Sequence, residues 1–379
     1  MPSSLIAPPS GRVGTRLSTL LRFVFFCLLG VCILFLLVEG LCSTLFVVHD
    51  FVSLSGRGRV PGSTQYDPEL GWVNTPNFYS KDLHDPGVYV ETNSKGFRNR
   101  EEFEVQVPAG KLRVICSGDS FTFGIGVDND HSWCQQLSAL DHRLQTVNMG
   151  VAGYGVDQIY LMHLREGTQL NYDVQILAVI ADDFKRMQNS NFLGYGKPML
   201  ELKGDRLAAT HVPVRKTSGF SHWIVLHREF LSEFRSVAIL HLLLGKPRPA
   251  PPAASNLPAN ATREVAARII ESLQATNHAR KAVTVVVYLP TASEINAESS
   301  SGTWRGFLRD ECAKRDVTFI DPLEGAQELP FSEAVKLHIP LGYHAAGHLT
   351  AYGNEYVARK IYQALTANPE ISAKLSALR

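Results

Sequence analysis

Short runs of β-branched and apolar residues recur from position 112 onward: LRVICS (112–117), QTVNM (145–149), DVQILAVI (173–180), AVTVVVYLP (282–290) and VTFID (317–321). Between them, apolar residues fall at helical spacing over about 130–141, 157–167, 262–279 and 303–314, with a last helical stretch at 350–366. Near-continuous apolar strands alternating with helices predict a parallel sheet covered on both faces, because a strand wetted on one side alternates apolar with polar instead. Sites in such sheets lie at the carboxyl ends of the strands, so the residues after each run carry the chemical interest.

Ahead of this pattern the chain is apolar from Phe23 to Val38 and, past Glu39 and Gly40, mostly apolar to Val48. That is long enough to cross a bilayer, for which about 20 residues suffice. A cleaved signal would end in a small-x-small site, which VEGLCST does not supply, and Leu41 before Cys42 does not fit a lipoprotein site. Arg12, Arg16 and Arg22 precede the span, and Glu39 and Asp50 come first beyond it. The charge asymmetry predicts a single-pass membrane protein with a cytoplasmic N-terminus and an extracytoplasmic body.

The expected organisation is therefore a cytoplasmic segment (1–22), a transmembrane helix (23–48), a strand-and-loop preface (50–111) and a main domain (112–370). The preface, rich in turn residues, holds YDPELGW, VYVET and TNSKGFRN. Its aromatics Tyr66, Trp72 and Phe78 are read first as packing residues. About 190–260 is longer than a crossover needs and reads as an insert serving as lid or packing element. Within it lie a hairpin around Gly204-Asp205, an amphipathic helix (227–244) and a proline-rich loop (245–260).

Composition narrows the classes. The 379 residues are 45% apolar and 19% charged, enough for one large or two modest folded domains. With 37 basic and 36 acidic residues the net charge is +1, which supports no nucleic-acid partner. The 6 cysteines form no CxxC and no zinc-ligand spacing, so neither metal nor cofactor is implied; Cys134 and Cys312 are a candidate pair in an oxidising compartment. Cys116 reads as a small buried hydrophobe.

The first strand runs into Ser117-Gly118-Asp119-Ser120-Phe121-Thr122-Phe123-Gly124. A serine in this turn is either a nucleophile, if a base and oxyanion donors meet it, or an ordinary helix cap. Asn148-Met149-Gly150-Val151-Ala152-Gly153-Tyr154-Gly155 follows the second strand, where glycines let a backbone N–H approach a ligand. Ala181-Asp182-Asp183-Phe184 follows the third, and His348-Leu349-Thr350-Ala351-Tyr352-Gly353 precedes the last helix. A strand-end serine and a C-terminal histidine can meet across one sheet edge as nucleophile and base.

These four blocks together resemble the SGNH (GDSL) hydrolase superfamily over about residues 112–366, and the preface is similar to that of its membrane-anchored bacterial members. The resemblance implies a three-layer α/β/α, flavodoxin-like parallel sheet. It also implies Ser120 as nucleophile, His348 as general base, and the backbone N–H groups of Ser120 and Gly153 as oxyanion donors. Two departures touch the mechanism. Where the family places an oxyanion asparagine stands Asp182, and an ionised carboxylate only accepts hydrogen bonds. Where it places the triad acid, two or three residues before the histidine, stand Ala346 and Ala345. A backbone carbonyl or Asp321 is then left to orient the imidazole.

His344 competes with His348, which matches the HLTxxG spacing better. Asp82-Leu83-His84 is similar to a DxH pair of related sugar acetyltransferases, but lies in an irregular loop. Asp183 reads as a cap for nearby N–H groups. The resulting expectation is a serine esterase acting on carbohydrate O-acyl or lipid esters at a membrane. The alternatives are a catalytically degraded domain that binds a glycan or a partner, and an O-acyltransferase.

Overall fold

The computed structural model describes residues 12–56, 62–217, 236, 259–295, 302–340, 343 and 345–378. It divides into two units: Met1–Gly58 with Leu226–Pro252, and Arg59–Val225 with Ala253–Arg379.

In the first unit, α1 (Arg12–Gly56) carries a stretch of 26 residues, Leu20–Leu45, long and apolar enough to cross a membrane. Its large apolar side chains, Phe26 and Leu36 among them, are exposed rather than packed. Glu39, the acid within this stretch, accepts hydrogen bonds from the N–H and hydroxyl of Ser236, at 3.0 and 2.8 Å. Apart from Ser236, the expected helix at 227–244 lies outside the described residues, as does most of the proline-rich loop.

The second unit is built on a five-stranded sheet of β1 (Leu112–Ser117), β2 (Leu144–Asn148), β3 (Val174–Val179), β4 (Val283–Tyr288) and β5 (Thr318–Ile320). All neighbours pair in parallel, in the order β2-β1-β3-β4-β5. Strand side chains alternate between two cores. Leu112, Val114 and Cys116 of β1 and Val174, Ile176 and Ala178 of β3 enter one, with α3 (Trp133–Leu140), α8 (Ala351–Ala367) and α9 (Pro369–Ala377). Ile115, Leu177 and Val179 enter the other, with α4 (Val156–Arg165), α6 (Ala259–Ala279) and α7 (Gly302–Lys314). This is a three-layer α/β/α fold with doubly wound, flavodoxin-like strand order. Its connections diverge at the carboxyl ends of β1 and β3, where such sheets open a crevice.

The two cores decide the cysteine question. Cys134 lies in the core on one side of the sheet and Cys312 in the core on the other. A disulfide needs Cα atoms within about 7 Å, and the sheet separates them. The neighbour of Cys134 is Cys116, and the described cysteines are free thiols.

The preface forms a hairpin, Thr64–Asp67 with Gly71–Asn74, and a short pair, Tyr79–Ser80 with Val90–Glu91. Trp72 is buried, stacked on Phe192 with ring centroids 6.3 Å apart, whereas Tyr66 stays 40% exposed. The insert begins with two hairpins, Asn191–Phe192 with Tyr195–Gly196 and Met199–Lys203 with Arg206–Thr210. The second turns at Gly204 in the left-handed region, φ 62°.

Candidate active site

β1 ends at Ser117, and Ser120 opens the single-turn helix α2 (Ser120–Phe123). The Asp119 side chain accepts the Phe121 N–H at 2.9 Å, a cap that fixes the turn carrying Ser120. A Cβ on Gly118 would stand 2.8 Å from the Ala178 carbonyl of β3, so only glycine lets the turn lie this close to the neighbouring strand. Arg98, fully buried in the preface, donates to the carbonyls of Phe123, Gly124 and Val127 and to Asn129 Oδ1. It pins the chain after α2 from beneath.

At the other end of the sequence, Thr350 caps α8 by accepting the Gly353 N–H at 3.0 Å. Ile339 N–H donates to the His348 carbonyl at 2.8 Å, fixing the loop that carries the imidazole. His348 Nε2 lies 3.0 Å from Ser120 Oγ. Its Nδ1 lies 3.2 Å from the carbonyl oxygen of Ala345. A carbonyl only accepts, so Nδ1 carries the proton and Nε2 presents its lone pair to the serine. Burial lowers the His348 pKa; Asp119 and the Ala345 carbonyl oppose the shift and the Arg186 guanidinium adds to it. The neutral base form therefore prevails at pH 7, and the pair is arranged for proton transfer from Oγ to Nε2.

The glycine-rich loop after β2 is stitched to the serine turn. Asn148 Nδ2 donates to the Thr122 carbonyl at 2.9 Å and Val151 N–H to the Gly118 carbonyl at 3.1 Å. Gly153 adopts φ 80°, and a Cβ there would stand 2.6 Å from the Phe192 ring. Among the described residues, neither the Ser120 nor the Gly153 N–H is taken by a carbonyl or side chain. The preface holds this loop: Trp72 Nε1 donates to the Ala152 carbonyl at 2.9 Å, and Asn74 Nδ2 to that of Gly150 at 2.9 Å.

After β3, α5 (Ala181–Arg186) turns its two aspartates apart. Asp182 faces solvent, 56% exposed, and pairs with Lys185 at 2.6 Å. Among the described residues its hydrogen bond is to Lys185, and none joins it to the serine turn or to the glycine-rich loop. Asp183 is buried and accepts the Ile180 N–H at 3.0 Å, which fits the capping role expected of it. Burial and the neighbouring Asp119 push its pKa well above the usual carboxylate range, against the opposing charge of Arg186.

Arg186 had no role in the sequence reading. One of its Nη atoms donates to Asp119 Oδ2 at 3.0 Å, Asp183 Oδ1 at 2.6 Å and the Tyr154 carbonyl at 3.0 Å. A basic residue one helical turn beyond the acidic pair was the available signal. Arg98 gave none, since a lone arginine in a polar loop reads as solvated.

The other candidates are placed elsewhere or nowhere. Asp321 is engaged by Arg305 and Arg309, at 2.6 and 2.9 Å. Asp82 accepts the Gly87 N–H at 2.6 Å and closes its own loop. His344 lies outside the described residues.

A serine–histidine pair at the switch point of a doubly wound α/β/α sheet is the class of site this chain presents. No family model matches the sequence, and no curated protein does. Among solved structures, the chain is similar to a lipolytic protein of the G-D-S-L family from Veillonella parvula: 12% identity over 68% of this chain and 100% of that one, TM-score 0.40. It is similar also to a putative lipolytic protein of the same family from Desulfitobacterium hafniense, with 12% identity, 67% and 100% coverage and a TM-score of 0.38. A GDSL-like lipase from Bacteroides thetaiotaomicron matches at 12% identity, 69% and 91% coverage and a TM-score of 0.36.

Proposed function

We propose that this protein is a serine esterase, held at a membrane by α1, that cleaves carbohydrate O-acyl or lipid esters through an acyl-Ser120 intermediate. The reading rests on one observation above the rest: the 3.0 Å approach of His348 Nε2 to Ser120 Oγ, with the opposite ring nitrogen on a carbonyl. Ser120 Oγ attacks the ester carbonyl carbon while His348 Nε2 takes the hydroxyl proton. The carbonyl electrons move to oxygen, facing the Ser120 and Gly153 N–H groups. Collapse expels the alcohol, which receives the proton from His348. Water then repeats the sequence and frees the acid. In this reading residues 1–22 are cytoplasmic, 23–48 span the bilayer, and the 50–111 preface and 112–370 domain lie outside the cytoplasm.

The test uses the full-length protein in detergent micelles, with p-nitrophenyl acetate as substrate and a fluorophosphonate as active-site label. Turnover and labelling that vanish in Ser120→Ala support the reading. A folded wild-type protein that does neither ends it.

A second reading, a degraded domain that binds a glycan or a partner, is favoured by the solvent-facing Asp182 and by a carbonyl where a triad carboxylate is expected. Esterase activity created from none by Asp182→Asn with Ala346→Asp supports it, and robust wild-type turnover excludes it. Acyl transfer uses the same Ser120 chemistry with a sugar hydroxyl in place of water, and is read out by acylated acceptor in the product.

A further inference from the structure

We propose that Arg186 is the third oxyanion donor of this site, its guanidinium standing in for the side-chain amide that Asp182 cannot supply. The proposal rests on the esterase reading above.

The placement comes from both flanks. One Nη atom is 3.0 Å from Asp119 Oδ2, and the other Asp119 oxygen caps the serine turn by accepting the Phe121 N–H at 2.9 Å. Asp119 Oδ2 also lies 3.3 Å from Ser120 Oγ, whose proton points to the shorter contact at His348 Nε2, 3.0 Å away. The same Nη atom is 3.0 Å from the carbonyl of Tyr154, the residue after Gly153. The guanidinium carbon lies 5.2 Å from the Phe192 ring centroid, and that ring walls Gly153. Arg186 thus bridges the two segments whose N–H groups border the site. Its hydrogen bonds use this one nitrogen; among the described residues, Nε and the other Nη have no partner. The side chain is 15% exposed, so it is anchored in the sheet edge and still reaches the surface there.

The charges agree with a catalytic use. Asp119 is the carboxylate that joins this guanidinium to the serine turn; burial and Asp119 push the Asp183 pKa well above the usual carboxylate range, against the charge of Arg186. When the Oγ–C bond forms and the proton passes to His348, the electron pair of the carbonyl π bond settles on oxygen. An anion at that point gains most from a charged donor in a partly dry site. A planar guanidinium keeps the N–H groups of two nitrogens, Nε and the second Nη, for it while the third nitrogen stays bonded.

The test compares Arg186→Lys, Arg186→Met and the double variant Arg186→Met/Asp183→Asn, which removes the arginine without leaving paired buried carboxylates. Each full-length protein is assayed for kcat and KM on p-nitrophenyl acetate and for Ki of an alkyl boronic acid, which forms a tetrahedral anion on serine. Losing one oxyanion donor predicts a kcat fall of about 100- to 1,000-fold with KM within about threefold. Boronate Ki should rise in proportion to the loss in kcat/KM across the series, and Arg186→Lys should retain part of both. A kcat/KM for the folded double variant within threefold of Asp183→Asn overturns the proposal, as does a large kcat loss with unchanged boronate Ki, which marks a positioning residue. An inactive, unlabelled wild-type protein instead removes the esterase reading itself, and this inference with it.

Discussion

The Nδ1 atom of His348 rests on the carbonyl oxygen of Ala345, three residues earlier in the chain, at 3.2 Å. A carbonyl selects the tautomer as a carboxylate would, but it carries no full charge to stabilise the imidazolium formed during attack. Where a serine triad loses its acid and the tautomer with it, the rate drops about 10,000-fold; here the tautomer is kept. Ala346→Asp is expected to raise kcat by about tenfold through that missing charge, read from steady-state kinetics on p-nitrophenyl acetate. An unchanged kcat would show that the carbonyl alone is sufficient.

The acid side of the pH profile follows from burial. His348 titrates below its ordinary value of 6.5, so kcat/KM should rise with pH along a limb whose midpoint lies under 6.5 and level off above it. Stability has its own acid limb. Burial pushes the His163 pKa from 6.5 down to about 3, so between these values the unfolded chain binds a proton that the folded one refuses. Stability from this group is complete above pH 6.5 and falls as pH drops toward 3. Urea midpoints measured from pH 8 to 4 should show that decline, flattened in His163→Gln.

Gly153→Ala meets two obstacles, the positive φ of 80° and a Phe192 ring carbon 2.6 Å from the new methyl. Its N–H is displaced from the oxyanion, and kcat should fall about 100-fold or more while far-UV circular dichroism stays native. Adding Phe192→Ala relieves only the contact, so most of the loss should remain.

Arg98→Met leaves the carbonyls of Phe123, Gly124 and Val127 without this donor in a buried pocket. Each such group costs about 1–3 kcal/mol, so the urea midpoint should fall sharply with little change in slope. Unaltered stability would mean that the pocket admits water.

Asp182→Asn should leave kcat/KM within about twofold, because the carboxylate faces solvent and its pair with Lys185 is a surface one. A large gain would place Asp182 at the oxyanion after all.

Much of this architecture is legible along the chain. The run LRVICS marks β1 at its observed bounds, Leu112–Ser117, because a strand buried on both faces leaves an uninterrupted apolar signature. The apolar stretch of α1 reads equally directly, from its length and its scarcity of charge. The motifs around Ser120 and His348 could be named, but their meeting could not. It depends on β1 lying inside the sheet, between β2 and β3, and on the loop before α8 folding back to the same rim. Residue identity alone also could not sort Asp182 from Asp183, which share composition and differ by one step around a helix. That step of about 100° sends one carboxylate to solvent and the other under Asp119. Arg98 belongs wholly to the tertiary level, and Arg186 nearly so: a cation announces no role until the carbonyls and carboxylates gathered from distant segments surround it.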